Sequence, residues 1–260
     1  MMSSRALFDA YFTENRRREI AARYRDHPLP PISFGTVRDF CDSADHLGPL
    51  ASYQGDLKDL QRCWMLKALL SAAPPGARLL EIGAGEPVVA GVLSRLGYDV
   101  TIVDPYDGAG NGPVDYERYV AEYPDLRFVR SYLGPTTDLG DQPVDVFYSI
   151  SVLEHVPEAA FVDLTVGVRR AGRSGARTIH AVDHVLKGRG AEYHEHMLLR
   201  VGAHCGVPDD AILAALRDAD ADIETYLLSA EAHNRWRGGL AYDSFPMRRC
   251  VSAHFNGTID

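Results

Sequence analysis

The residues with the densest potential chemistry lie in "IHAVDHVLKGRGAEYHEH", Ile179 to His196. This stretch holds His180, His184, His194 and His196, four of the chain's ten histidines, beside Asp183, Glu192 and Glu195. Such a set could bind a metal ion, act as an acid–base apparatus, or merely line a turn. Strand geometry narrows the choice. If the first part is extended, His180, Val182 and His184 share one face and Asp183 takes the other. His180 and His184 would then lie about 13 Å apart, too far to share one ion. A cage of all four histidines is therefore not expected. A smaller site, Asp183 with one histidine of "YHEH", stays open, with a divalent ion such as Mg as its occupant.

The elements that must position these groups alternate in type. "RLLEI", "DVTIVD", "DLRFVRSY", "VDVFYSI" and "ARTIHAVD" read as strands. "PVVAGVLSRLG" reads as a helix with Val88, Val92, Leu93 and Leu96 on one face. Alternation of this kind implies an α/β fold with a mostly parallel open sheet of about seven strands. "IETYLLSA" and "MRRCVSAHF" are the last two strands expected. Before Arg78 the chain reads helical, from Ser4 to Arg25 and again where Leu57, Leu60, Trp64 and Ala68 form a stripe. "DHPLPPI" and "AAPPGA" interrupt it, because proline cannot continue a helix. The expected organisation is an N-terminal helical cap over residues 1–72 on a core over residues 73–260.

In "LLEIGAGEP", Gly83 and Gly85 permit positive φ and close backbone approach to a ligand. In open parallel sheets the ligand crevice lies outside the carboxyl ends of the strands. The next strand ends in Asp104, a carboxylate placed to bind a ribose diol. A nicotinamide cofactor would want a glycine where Val88 stands, and Glu81 would repel its pyrophosphate while suiting a cationic ligand.

Taken in order, "LLEIGAGEP", "VTIVDP" and "VDVFYSISVLEHVP" resemble the class I, Rossmann-like S-adenosylmethionine (SAM)-dependent methyltransferases of small-molecule type, over about Leu57 to Phe255. A departure is Pro87, where many members have a third glycine. The resemblance implies that Gly83 and Gly85 pass under the methionine part of SAM and that Glu81 meets its ammonium. It implies that Asp104 accepts from both ribose hydroxyls. Ser131 and Tyr132 would contact adenine, and Ser149 and Ser151 would lie beside the sulfonium. The cap would cover the acceptor. The carboxylates that hold a metal in catechol-type members are replaced here by "SIS".

A hydroxyl acceptor needs a base or a metal, and His155, His184 and His194 are the candidate bases, with Asp183 orienting a histidine or binding the acceptor, with or without a divalent ion. His155 could equally cap the helix that follows it. "AHNRWRGGLAY" places Trp236 and Arg237 together, a pair suited to a sugar ring by stacking and hydrogen bonding. Tyr53 and His180 are further expected acceptor contacts. An inward-packed Trp236 is an equal alternative. The expectation is O-methylation of a polar small molecule, a saccharide foremost. N-methylation of an amine and SAM binding without catalysis are the alternatives.

The composition is that of an ordinary globule, with 46% hydrophobic and 24% charged residues. The net charge of −9 disfavours nucleic acid as a partner. No apolar run is long enough to span a bilayer, and the charged start carries no apolar leader segment, so no membrane partner is expected. The four cysteines form no C-x-x-C pair, as expected of a reduced, cytoplasmic chain. A homodimer is left open.

Overall fold

The computed structural model describes residues 9–51, 55–108, 112–188, 190–229, 231–232 and 249–259. Their strands are β1 (Ile32–Phe34), β2 (Arg78–Ile82), β3 (Asp99–Val103), β4 (Arg127–Val129), β5 (Val144–Ile150), β6 (Gly172–Lys187) and β7 (Arg249–Thr258). The main helices are α1 (Glu14–Tyr24), α2 (Val37–Leu47), α3 (Lys58–Ala72), α4 (Val88–Arg95), α5 (Tyr116–Glu122), α6 (Glu158–Ala171), α7 (Ala191–His204) and α8 (Asp209–Ala221). The strands form one sheet in the order β1-β7-β6-β5-β2-β3-β4. The pairs β2/β3, β2/β5, β3/β4 and β5/β6 are parallel, while β7 runs antiparallel to both β6 and β1.

Alternate residues of the sheet feed two apolar layers. Leu79, Ile102, Val146, Tyr148, Ile179 and Ala181 pack with α3 and α4. Leu80, Phe147, Val182 and Phe255 pack with α6, α7 and α8. The alternation expected for β6 is observed: Asp183 meets Gln61 of α3, while His180 and His184 meet His204 and His194 of α7.

The first 72 residues contain more than helices. The helical reading from Ser4 is interrupted at Thr13, whose side chain caps α1 by accepting Arg16 N–H. After Pro31 the chain enters β1, which becomes the sheet edge by pairing Ile32 with Phe255. Thr36 and Asp39 then start α2 with a reciprocal capping box. α3 is buried on nearly every side rather than on one stripe, since Asp59, Gln61 and Lys67 are enclosed along with Leu60, Trp64 and Leu69. The indole of Trp64 stacks on His254 of β7, with ring centroids 4.0 Å apart.

Arg249 to Phe255 of "MRRCVSAHF" lie in β7, but "IETYLLSA" forms no strand over its described residues. Its backbone groups are used locally. Tyr226 N–H donates to Gly35 O and Leu228 N–H to Cys250 O, and Thr225 makes an isolated bridge with Thr36. β1 holds the sheet edge instead.

Candidate active site

β2, β3 and β5 end side by side, and the groups expected to bind cofactor sit at or near those ends. Gly83 and Gly85 both adopt positive φ, +67° and +56°, which a β-carbon disfavours. A β-carbon at Gly83 would press on Val152 at 2.8 Å, whereas at Gly85 the nearest atom is Pro113 Cγ at 3.6 Å. The Gly85 side of the loop is therefore a cradle that a side chain would begin to fill.

Asp104 closes this corner. Its Oδ2 accepts Gly85 N–H at 3.1 Å, and its Oδ1 accepts Tyr106 N–H at 2.8 Å. Each oxygen keeps a further lone pair for a ribose hydroxyl. Asp104 is only 4% exposed, and the Tyr106 hydroxyl donates to Gly85 O at 3.1 Å. A ribose reaching Asp104 must displace part of this cover. Burial, opposed by the two N–H donors, raises the Asp104 carboxyl above its ordinary range.

Glu81 lies in register with Tyr148 on β5 and accepts its hydroxyl at 3.0 Å. Burial first, with nearby Asp104 adding to it, pushes Glu81 up to about 8. Such a carboxyl gains from an ammonium placed against it, because a close positive charge favours the ionised form. The glycine cradle, Asp104 and Glu81 thus fit SAM in their chemistry. Ser131 and Tyr132 lie past the end of β4 rather than on it. Tyr132 is 60% exposed and donates to Asp107 Oδ2 at 2.7 Å, just beyond the Asp104 turn.

Ser149 and His180 pair with each other across the β5–β6 register, Ser149 Oγ lying 2.8 Å from His180 Nδ1. His180 is 0% exposed, and its ring meets that of His204 on α7. The expected acceptor contact at His180 is therefore corrected: α7 covers its face of β6 and makes it a core residue. Burial holds its ring well below the ordinary histidine range.

His184 follows on the same face. Its ring lies against Phe34 and His194 and is almost fully buried. Burial, then the charge of His194, lowers it to about 4. "YHEH" lies within α7. The sheet separates His184 and His194 from Asp183, so the structure does not bring Asp183 together with either of these histidines. Among the described residues no group of three His, Cys, Asp or Glu is arranged to hold a metal ion.

Asp183 instead meets Gln61 and Glu154, which no sequence pattern singled out, together with Ser151. Gln61 Nε2 donates to Asp183 Oδ1 at 2.8 Å, and Ser151 Oγ donates to the same oxygen at 3.0 Å. Glu154 is buried, and its Oε1 accepts Asp183 N–H at 2.7 Å. Burial first, then the charge of Asp183, pushes Glu154 up to about 8. His155 sits at the exposed edge of this group, its Nε2 4.0 Å from Glu154 Oε1. Tyr53, Trp236 and Arg237 lie outside the described residues.

Strand order and direction define a Rossmann-like α/β fold, mostly parallel, with its ligand crevice at the strand ends. No family model and no curated protein sequence matches the chain. Solved structures to which it is similar include SAM-dependent methyltransferases. One is a TehB-like enzyme from Corynebacterium glutamicum, 17% identical, covering 84% of this chain and 97% of that one, with a TM-score of 0.41. Another is phosphoethanolamine N-methyltransferase 2 of Haemonchus contortus in complex with SAM, 14% identical over 95% of this chain and 75% of that one, with a TM-score of 0.45. The glycopeptide N-methyltransferase MtfA with SAM is 17% identical over 43% of this chain and 50% of its own length, with a TM-score of 0.36. At these values the likeness assigns no role to any residue of this chain.

Proposed function

We propose that the chain is a SAM-dependent methyltransferase that methylates a hydroxyl of a polar small molecule, a saccharide foremost. The observation that carries the cofactor part of this reading is the hydrogen bond from the Gly85 N–H to Asp104 at 3.1 Å. It brings a left-handed glycine loop and a ribose-type carboxylate to one corner of the strand ends, with Glu81 buried beside them. SAM, when bound, supplies an electrophilic methyl group. The chain's own residues then bind and orient. Asp104 would accept from the ribose and Glu81 would meet the ammonium, with Gly83 and Gly85 leaving room for the backbone to approach. Orientation of this kind can contribute roughly 7–11 kcal/mol to lowering a barrier.

A hydroxyl acceptor also needs a group to take its proton. Among the three histidines considered as base, His155 fits best, because it alone stands on the turn after β5 and is not behind the sheet. Asp183, held by Gln61 and Ser151, is a better placed group for that proton than the exposed His155. N-methylation of an amine is the other reading, favoured by the Asp183 carboxylate, which suits a cation.

The test is calorimetry with SAM, S-adenosylhomocysteine (SAH) and NAD, followed by an acceptor screen with and without EDTA. The screen covers glucosamine, methyl glucoside, ethanolamine and a thiol, and reads SAH release. Binding of SAH and turnover of a hydroxyl or amine support the proposal. NAD binding without SAH binding would overturn it.

A further inference from the structure

Three polar side chains from distant parts of the chain meet just past the end of β5. Gln61 Nε2 donates to Asp183 Oδ1 at 2.8 Å. Ser151 Oγ lies 3.0 Å from that same oxygen and 2.8 Å from Gln61 Oε1. Serine has one hydroxyl proton, so two acceptors compete for it. Both hydrogen bonds to the carboxylate fall on Oδ1, and among the described residues none falls on Oδ2.

Two features make this arrangement more than packing. Ser151 has φ +53°, a left-handed conformation that is strained for a residue with a β-carbon. Such strain persists where the surroundings enforce it and concentrates at functional sites. Gln61 is 0% exposed, where α3 meets the sheet. Burying an amide there is unfavourable unless its hydrogen bonds are made. Glycine at 151 would relieve the left-handed strain, and leucine at 61 would carry no amide to bury.

We propose that Gln61 and Ser151 are positioning residues that fix Asp183 by its Oδ1, keeping Oδ2 for the acceptor, whose reacting atom bears a hydrogen: an alcohol or an amine. This rests on the methyltransferase reading. The acceptor's lone pair forms the new bond to the methyl carbon. The carbon–sulfur bond breaks with its electron pair left on sulfur, and the acceptor's proton passes to Asp183 Oδ2. Once that proton arrives, Oδ1 is the weaker acceptor, and the Ser151 hydroxyl turns to Gln61 Oε1 without any heavy atom moving. Glu154 Oε1 accepts the Asp183 N–H at 2.7 Å, and burial raises the Glu154 carboxyl above its ordinary range.

The experiment compares Ser151→Gly and Gln61→Leu with the wild type. It measures melting temperature, SAH affinity, and kcat and KM on whichever member of the acceptor panel turns over. Both variants should keep a melting temperature within about 4 °C of wild type or above it, the scale of a small change for a chain of this size. SAH affinity should stay within about twofold, while kcat falls about 10-fold or more and KM changes less, as expected when a reacting geometry is lost. A fall of more than about 4 °C in both variants, or an unchanged kcat, overturns the proposal and makes the cluster scaffolding. Ser151→Gly decides alone if Gln61→Leu does not fold. The melting temperatures decide if no panel member turns over. Failure of the wild type to bind SAH removes the methyltransferase reading instead, whatever the variants do.

Discussion

Asp104 and Gly85 are joined by an N–H to carboxylate hydrogen bond of 3.1 Å across 19 positions of sequence. The bond ties the loop after β2 to the end of β3, so one carboxylate holds the loop in place. Asp104→Ala should weaken SAH binding strongly, because buried ribose hydroxyls lose a charged acceptor worth about 1.5–3 kcal/mol. That is about 10- to 150-fold in affinity. Calorimetry reads it directly, and unchanged affinity would remove Asp104 from the site.

Gly85→Val should abolish SAH binding while the fold survives. At φ +56° a valine is strained, and its side chain would grow into the space beside Pro113 rather than into the core. Circular dichroism should stay native-like. Normal SAH affinity in this variant would make the loop structural only.

Buried histidines and buried carboxyls pull the pH dependence of stability in opposite directions. His204 is lowered to about 4, chiefly by burial. The unfolded chain therefore binds a proton there that the folded one does not, between about pH 6.5 and 4. Stability from this group is fully present above about pH 6.5 and is lost as pH falls toward 4. Glu81 and Glu154, both raised to about 8, act the other way, holding protons in the folded form that the unfolded chain has released. A variant isolates the histidine. Replacing it in His204→Phe should remove about 2 kcal/mol of acid destabilisation between pH 7 and pH 5. Urea unfolding of both proteins at both pH values measures the difference, and an identical pH dependence would contradict it.

The N-terminal helices are anchored by charge as well as by apolar contact. Lys67 Nζ of α3 lies 2.6 Å from Asp42 Oδ2 of α2, with the lysine side chain 3% exposed, and Tyr24 of α1 donates to the same oxygen at 2.9 Å. Burial alone would raise Asp42, yet Lys67, Tyr24 and Arg23 together bring it down to about 2. Asp42→Ala leaves the lysine charge enclosed. A fully buried pair broken in this way costs about 3–5 kcal/mol. Asp42 is itself 32% exposed, so a loss of about 2–3 kcal/mol is expected here. Denaturant unfolding measures it, and a loss below about 1 kcal/mol, the scale of an exposed pair, would mean the pair is solvated.

Local pattern revealed the strands that carry the cofactor corner. "RLLEI" and "DVTIVD" are short apolar runs with turn residues behind them, and they become Arg78–Ile82 and Asp99–Val103. The face of each residue in "HAVDH" also followed from strand alternation. What escaped is non-local. β1 is three residues long and pairs with β7, and nothing near Pro31 signals that partner. "IETYLLSA" has strand-forming residues, but Gly35 and Cys250 take its backbone bonds. Gln61 is a lone glutamine on a helix, 122 positions from Asp183, and no local periodicity could link them. His180 and His184 looked suited to an acceptor because strand ends in this fold open onto a cleft, whereas here α7 covers their face.

SAM binding at the corner formed by Gly83, Gly85, Asp104 and Glu81 is tested most directly by isothermal titration of the wild-type protein with SAH, beside NAD as control. The expected result is one SAH bound per chain with no heat from NAD. No detectable binding of SAH at millimolar concentration by the folded protein would contradict it.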